Sequence, residues 1–220
     1  MHPDAIRAIA TDYDRTLTAP DLEPVPEAMD ALRRARKQGV RVIVLSGRSL
    51  EFLASRVGDT ADAIVAENGA RLLTPGGTVR ELAAPLAIPA TQLALERGVA
   101  IASIDARQAD ALRELLVRAG VDADLVWNRD RVMALPRGVS KATGLAAALA
   151  VLGIDADRCV AFGDGENDAP MLLAVGHGVA VANATEGLKR VAAEVTARPG
   201  GWGVADWVRS HILLTRTEAA

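Results

Sequence analysis

The sequence predicts an α/β fold in which a doubly wound parallel sheet, covered by helices on both faces, carries a small α+β insert. Three observations predict it. Apolar strand-like runs alternate with helical patterns early in the chain, this alternation is lost between about residues 82 and 135, and it then resumes. Strand–helix alternation is typical of parallel sheets, because each parallel pair needs a crossover connection. We therefore predict a core of residues 1–81 and 136–220 and a cap of residues 82–135.

The first half of the core is predicted from apolar runs and helix-boundary signals. The run Ile6–Ala10 predicts a strand leading into Asp12, and the continuous β-branched run Val40–Leu45 predicts a strand buried on both faces. A proline at the start and Gly39 at the end delimit the first helix. The other elements predicted here are helices at 26–38 and 50–57, a strand at 63–66, and a hairpin of 70–73 with 78–82 around Pro75-Gly76-Gly77.

The insert and the second half of the core are predicted in the same way. Pro85 and Pro89 interrupt the chain before the insert. In the insert we expect a helix at 91–97, a strand at 99–104, a helix at 107–119 and two strands around residues 128–130. In the core we expect helices at 140–151, 167–175, 185–193 and 201–210, strands at 158–162 and 178–181, and a frayed end at 215–220.

Composition excludes several classes of protein. The 220-residue chain has a formal net charge of −3 and lacks the basic excess of a nucleic-acid-binding surface. Its one cysteine, Cys159, excludes an internal disulfide framework and a cysteine-cluster metal site. No apolar run approaches the roughly 20 residues of a membrane helix, and no signal peptide is present. We expect a cytoplasmic protein with no nucleic-acid or membrane partner; monomer and homodimer both remain open.

A pair of aspartates follows the first predicted strand. Asp12 and Asp14 are separated by one residue in an extended segment, so their carboxylates point the same way, roughly 7 Å apart. Paired carboxylates repel each other unless a cation is present, and Mg²⁺ prefers such oxygen ligands. The same residues would also suit a loop-capping turn, so the pair alone leaves both interpretations open.

Two weaker signals come from Ser46-Gly47-Arg48 and from Lys141. The serine hydroxyl and nearby N–H groups can hold an anion after the second strand, and Gly47 permits close approach. Lys141 lies in the first turn of a predicted helix, where a cation opposes the helix dipole unless an anion lies nearby. The serine segment could equally be an ordinary turn, and Lys141 a solvated surface lysine.

The fourth polar cluster, Gly163-Asp164-Gly165-Glu166-Asn167-Asp168, connects a predicted strand to a helix. Its two glycines permit a tight turn, and Asp164 and Asp168 can reach one cation. An ordinary acidic helix start needs no such density of Gly, Asp and Asn, so the cluster favours a metal site. Ligands of these sheets bind at the carboxyl ends of the strands, where these clusters are predicted.

In this order, the clusters resemble those of the haloacid dehalogenase-like (HAD) superfamily of phosphatases and phosphotransferases. The most specific segments are DYDRTLT at 12–18 and GDGENDAPML at 163–172, and the resemblance covers nearly the whole chain. Asn68-Gly69 and the position of the insert are similar to subfamily IIB, which includes archaeal-type phosphoglycolate phosphatases, sugar-phosphate phosphatases and phosphomannomutases. The resemblance implies a Rossmann-like core and a phosphoric monoester hydrolase acting on a small phosphorylated metabolite.

The resemblance also implies roles for individual residues. Asp12 would be the nucleophile that forms an aspartyl-phosphate, and Asp14 the general acid and then base. Phosphate and substrate binding would fall to Thr16, Ser46, Gly47, Arg48, Asn68, Lys141 and Asn167. The cofactor would be Mg²⁺, held by Asp12, the backbone carbonyl of Asp14, Asp164 and Asp168.

Two departures from the family pattern bear on function. Arg15 stands where the family usually has glycine, and it would either crowd the cap side or bind an anionic group of the substrate. The insert is short for subfamily IIB, which favours a small substrate and disfavours a phosphomutase, since a mutase must shield its phosphoenzyme from water. A phosphotransferase and a non-catalytic regulatory module could also be built on the same core.

Overall fold

An eight-stranded sheet forms the centre of the protein, which a computed structural model describes from residue 6 to residue 214. The strands of the chain are β1 (Ala8–Asp12), β2 (Arg41–Leu45), β3 (Ala63–Ala66), β4 (Arg71–Leu73), β5 (Val79–Glu81), β6 (Glu96–Arg97), β7 (Ala102–Asp105), β8 (Ala123–Asn128), β9 (Arg131–Pro136), β10 (Cys159–Gly163), β11 (His177–Ala180) and β12 (Glu194–Val195). The central sheet has the order β12-β11-β10-β1-β2-β3-β4-β5, parallel from β12 to β3 and antiparallel for β4 and β5.

Helices cover both faces of the parallel strands. The helices of the described chain are α1 (Pro26–Lys37), α2 (Leu50–Val57), α3 (Ala109–Arg118), α4 (Lys141–Leu152), α5 (Ala169–Leu173), α6 (Glu186–Val191) and α7 (Gly200–Val208). Of these, α3 lies in the inserted segment, and α7 continues into a π-helical turn at Arg209–Leu213. Helix α1 packs against α7, whereas α4 packs against α5 and over β2 and β3. Every residue of β1 and β10 is buried, as expected for central strands enclosed between two helical layers. The predicted α/β class with a Rossmann-like core is confirmed.

The inserted segment forms a second, antiparallel sheet with the order β6-β7-β9-β8. Alternate residues of β7 and β9, such as Ile104 and Val132, pack against Leu112 and Leu116 of α3. Residues of the opposite face, including Met133 and Leu135, pack with Ala70 of the core. The second sheet therefore presents its α3-free face to the core. The division at residues 82 and 135 stays a prediction.

One predicted helix is wrong, and two short strands, β6 and β12, were not predicted. Residues 91–97 form no helix; a bend at residues 92–93 leads through an irregular segment into β6, which pairs with β7. The segment has residues that favour helices, but Leu93 and Leu95 alternate into the apolar cluster beneath the second sheet, and Arg97 donates to the carbonyl of Ile88. Tertiary packing overrides intrinsic propensity here. The two-residue strand β12 was too short to predict, and the predicted frayed end lies outside the described residues.

Candidate active site

The polar clusters meet at the carboxyl ends of three adjacent parallel strands. Strand β1 lies between β2 and β10, with Asp12 opposite Leu45 and Thr11 opposite Phe162. The loops that follow these strands therefore leave the sheet side by side. The N-terminus of α4 brings Lys141 to the same edge, starting with a capping box of Ser140 and Thr143.

Lys141 forms the centre of the site. Its Nζ lies 2.6 Å from Asp12 Oδ1 and 2.6 Å from Asp168 Oδ1, and its side chain is 2% exposed. Burial disfavours the charged ammonium, but the two carboxylates outweigh burial and raise the pKa of Lys141 above its ordinary value. These carboxylates are the anions that a lysine in the first helical turn requires, so Lys141 is not a solvated surface lysine.

Asp12 is buried with an incomplete set of partners. Desolvation raises the pKa of Asp12 well above its ordinary value; Lys141 opposes this shift, and the nearby Asp168 and Asp164 add to it. Its second carboxylate oxygen, Oδ2, is buried and has no hydrogen-bond partner among the described residues. An orphaned buried acceptor of this kind calls for a missing cation or substrate group.

Three carboxylates form a candidate metal site. One oxygen each from Asp12, Asp164 and Asp168 lies within 4.8 Å of the others, and all three residues are buried. Asp168 is oriented by the N–H groups of Asp164 and Gly165, which both donate to its Oδ2 at 2.9 Å. Hard oxygen donors in this number suit a divalent ion such as Mg²⁺, and the orphaned Oδ2 of Asp12 is consistent with that fit.

Asp14 stands apart from the acidic cluster. Arg48 donates to its carboxylate through Nε and Nη2, at 3.1 and 2.9 Å, and Ser46 Oγ donates at 3.2 Å. The predicted residues Asp14, Ser46 and Arg48 are thus brought together. From the sequence we expect the backbone carbonyl of Asp14, not its side chain, to bind the metal, and that role stays a prediction.

Arg15 adopts a backbone conformation that suits glycine. Its φ is +61°, in the left-handed region, and its N–H donates to Thr18 Oγ1 at 2.7 Å. Glycine reaches this region without steric cost, which explains the family preference at this position. The arginine therefore occupies a conformation that is unfavourable for residues other than glycine. Thr16, one residue further, places its hydroxyl 3.5 Å from Asp164 Oδ1.

Two asparagines connect the core loops to the cap sheet. Asn167 Nδ2 donates to Asn68 Oδ1 at 3.0 Å, and Asn68 Nδ2 lies 2.9 Å from the sulfur of Met133 in β9. A side chain at Gly47 would place its Cβ 3.0 Å from Asn68 Nδ2, so any larger residue there would push against the Asn68 amide. The predicted binding residues Asn68, Asn167 and Gly47 therefore form one contiguous layer.

Arg129, in the tight turn between β8 and β9, was not predicted as a site residue. Its guanidinium bonds Asp164 Oδ2 through both Nε, at 3.1 Å, and Nη2, and Nη2 also donates to the carbonyl of Asn183 at 3.0 Å. Its backbone N–H donates to Glu166 Oε2. The turn signal Asn128-Arg129-Asp130 predicted the hairpin, but nothing in the sequence indicated where its tip would dock.

Glu67 was also missed. Its buried carboxylate accepts from the N–H groups of Val99, Ala100 and Ile101, at 3.1, 2.7 and 3.3 Å. It thereby joins the loop after β3 to the start of the cap sheet.

A cavity of about 350 Å³ lies between the core loops and the cap sheet. Its lining includes Asp12, Asp14, Ser46, Lys141 and Asp164 from the core, and the cap residues are Glu96, Ile101, Ser103, Asn128, Arg129, Asp130, Arg131 and Met133. A larger groove of about 810 Å³, behind the cap linkers, contains none of the three clustered aspartates. The smaller cavity is therefore the candidate active site, and its volume is at the low end for ligand pockets.

The sequence matches the model of one protein family over most of its length. Residues 9–84 and 101–208 match the haloacid dehalogenase-like hydrolase family. The chain is a haloacid dehalogenase-like hydrolase. The predicted superfamily is confirmed, and subfamily IIB is consistent with the match.

Relatives of this hydrolase span nearly its whole length. Phosphoglycolate phosphatase of Methanopyrus kandleri is 31% identical over 236 residues, covering 96% of this chain and 98% of the relative. That of Methanothermobacter thermautotrophicus is 33% identical, covering 93% and 98%. A crystal structure from Thermoplasma acidophilum has the same fold, with a TM-score of 0.80 at 21% identity over 94% of this chain and 98% of that one. The predicted enzyme class, a phosphoric monoester hydrolase, is confirmed.

Among residues 6–214, none of the helices has the length and apolar character needed to cross a bilayer.

Proposed function

We propose that this hydrolase is a Mg²⁺-dependent phosphatase that cleaves a small phosphomonoester, such as 2-phosphoglycolate or a sugar phosphate, through an aspartyl-phosphate. The observation that carries the proposal is the environment of Asp12: its Oδ1 is held by Lys141, while its buried Oδ2 has no partner within the described chain. An aspartate bound on one oxygen and free on the other, at the base of a cavity, is arranged for nucleophilic attack.

The proposed first step transfers the phosphoryl group to Asp12. A bond forms between a carboxylate oxygen of Asp12 and phosphorus, the bond between phosphorus and the ester oxygen breaks, and Asp14 gives its proton to the leaving alcohol. Arg48 holds Asp14 through two nitrogens, so both carboxylate oxygens of Asp14 already have a hydrogen-bond donor. We therefore expect Arg48 to turn from Asp14 to the incoming phosphate when substrate binds, leaving Asp14 free to carry a proton.

The second step is hydrolysis of the aspartyl-phosphate. Asp14 takes a proton from water, whose oxygen bonds to phosphorus as the bond to Asp12 breaks and phosphate leaves. Lys141 and Ser46, buried at the same edge, would bind the phosphoryl oxygens throughout. Mg²⁺, held by Asp12, Asp164 and Asp168, would neutralise the negative charge of those oxygens.

A non-catalytic module and a phosphotransferase are less well supported. A non-catalytic module predicts that Asp12, Asp14, Lys141 or Asp164 is lost or displaced, but Lys141 contacts Asp12 directly and Asp164 lies in the same carboxylate cluster. A phosphomutase or other phosphotransferase would use the same aspartates, and it is distinguished by transferring the group to a second alcohol rather than to water. The cytoplasmic location and the choice between monomer and homodimer stay predictions.

Phosphate release from a panel of small phosphomonoesters tests the proposal, measured with Mg²⁺ and with EDTA. We expect Mg²⁺-dependent turnover that falls at least about 10³-fold in Asp12→Asn. Acid-quenched mass spectrometry should detect phosphate on Asp12 in the wild type. Turnover that persists in Asp12→Asn would contradict the aspartyl-phosphate route, provided that circular dichroism shows both proteins folded.

A further inference from the structure

The candidate active site has two walls of different chemistry. The core wall carries Asp12, Ser46 and Lys141, which the proposed function assigns to the phosphoryl group. The opposite wall is the α3-free face of the cap sheet, and its polar members include Glu96, Ser103 and Arg131. A phosphomonoester small enough for about 350 Å³ would therefore meet the core with its phosphate and the cap with the rest of the molecule.

Arg131 is directed toward this wall by the strand register. In β9 the neighbouring residue Val132 packs in the apolar cluster with α3, so Arg131 lies on the opposite face, as side chains alternate along a strand. Its Nη2 donates to Ser103 Oγ at 2.7 Å and lies 2.8 Å from Glu96 Oε2. The guanidinium is thus oriented by a neighbouring hydroxyl before any substrate arrives, which lowers the entropic cost of binding.

Most other cations lining the cavity are already neutralised. Arg48 is paired with Asp14, and Lys141 with two buried carboxylates. Arg129 bonds both Asp164 and the carbonyl of Asn183, so it is held to the core loops by a contact that does not depend on Asp164. The partner of Arg131 is Glu96, whose side chain is 75% exposed, and ion pairs with so exposed a group contribute little and are readily exchanged. Arg15 also lines the cavity, but within residues 6–214 its hydrogen bonds involve only its backbone, so no described residue holds its side chain in place.

We propose that Arg131, oriented by Ser103, binds a carboxylate of the substrate and makes the enzyme selective for phosphorylated small acids over neutral phosphomonoesters. The proposal rests on the proposed phosphatase function and specifies its substrate class. A guanidinium and a carboxylate form two parallel hydrogen bonds, a geometry that an alcohol cannot reproduce. Glu96 would be the group that the incoming carboxylate displaces.

Two substrates that differ in one group test this proposal. The probes are 2-phosphoglycolate and 2-hydroxyethyl phosphate, in which CH₂OH replaces the carboxylate, and the readout is the ratio of their kcat/KM values. We expect the wild type to prefer 2-phosphoglycolate by about 10- to 100-fold in kcat/KM, which is the ratio that the free energy of one charge-assisted hydrogen-bonded pair produces. The ratio should fall to within about threefold of unity in Arg131→Gln and stay intermediate in Arg131→Lys.

Three further variants separate this role from general effects. Arg113→Gln removes an arginine of α3, which lies on the other side of the cap sheet, and should leave the ratio unchanged. Arg15→Gln tests the competing cation; a ratio that collapses there but survives in Arg131→Gln would overturn the proposal. Glu96→Gln removes the competing carboxylate and should lower KM for 2-phosphoglycolate by up to about fivefold, which a merely structural role of Arg131 would not predict.

Binding to Asp12→Asn distinguishes failure of this inference from failure of the proposed function. If neither probe releases phosphate with Mg²⁺, the phosphatase proposal fails, but calorimetry still measures whether Asp12→Asn binds 2-phosphoglycolate more tightly than 2-hydroxyethyl phosphate. A preference that disappears when Arg131→Gln is added would support the carboxylate site. Equal affinity for the two probes, or a preference that is unaffected by Arg131→Gln, would overturn it.

Discussion

Replacing Arg129 with glutamine should tighten Mg²⁺ binding, because Arg129 and the ion compete for the same carboxylate. Asp164 is one of the three clustered acids, and its Oδ2 is bonded by two nitrogens of Arg129. Burial raises the pKa of Asp164 and Asp168 adds to that shift, while Arg129 opposes both. In the metal-free protein, the guanidinium of Arg129 therefore supplies part of the positive charge that the metal ion would bring to Asp164.

The size of the effect follows from the cost of breaking this pair. The side chain of Asp164 is 6% exposed and that of Arg129 is 28% exposed, so water screens the pair incompletely. A hydrogen bond to a charged group contributes about 1.5–3 kcal/mol net, and a divalent ion that uses Asp164 must give up that amount. Since 1.4 kcal/mol corresponds to a factor of ten, Arg129→Gln should lower the Kd for Mg²⁺ by about 10- to 150-fold.

Calorimetric titration of substrate-free protein with Mg²⁺ measures this Kd directly. Arg137→Gln is the matched control, because Arg137, just after β9, is paired with Asp122 at the surface, where both side chains are 67% exposed, and its loss should leave the Kd unchanged. Arg129→Gln should also lower the Tm of the metal-free protein, and Mg²⁺ should restore it. An unchanged or weaker Mg²⁺ affinity in Arg129→Gln would refute the competition.

Three further predictions concern stability and reactivity. Gly69→Ala should destabilise the protein by more than about 3 kcal/mol in urea unfolding, because φ is +113° and a Cβ would overlap the carbonyl oxygen of Ser140. Gly77→Ala, at an open hairpin tip with φ +78°, should cost only about 1 kcal/mol; equal costs would contradict the steric argument. Glu67→Gln should cost about 1.5–3 kcal/mol, since three N–H groups lose a charged acceptor; a neutral result in the same assay would exclude a role in joining cap to core. Burial raises the pKa of Cys159 to about 12, so its thiol should resist Ellman's reagent at pH 8 until the protein unfolds, and rapid labelling of native protein would disprove this.

The core was predictable because its signals are local. Buried parallel strands appear as continuous apolar runs such as Val40–Leu45, and the polar residues directly after them lie at one edge once the strands are parallel. Asp12, Ser46 and Asp164 could therefore be assigned to one site from the sequence alone. The place of Lys141 in the first turn of a helix predicted that it needs an anion nearby. The carboxylates that pair with it, those of Asp12 and Asp168, belong to two of the predicted clusters.

The cap was less predictable because its structure depends on contacts between distant segments. Residues 91–97 favour a helix by composition, yet they form a bend and a short strand, with Leu93 and Leu95 partly buried against the second sheet. The φ of +61° at Arg15 was equally hidden, since the sequence shows only that glycine is missing.

By itself, the sequence determined the fold class, the motif residues and the edge of the sheet where they gather, since hydrophobic periodicity and strand ends are properties of neighbouring residues. Only the tertiary structure decided that Arg129 pairs with Asp164, that Glu67 holds the segment between β6 and β7, and that Arg131 faces the cavity. The physical reason is that the contacts of Glu67 and Arg129 join residues 33 and 35 positions apart, and their partners depend on how the cap sheet packs over the core loops, which no local pattern encodes.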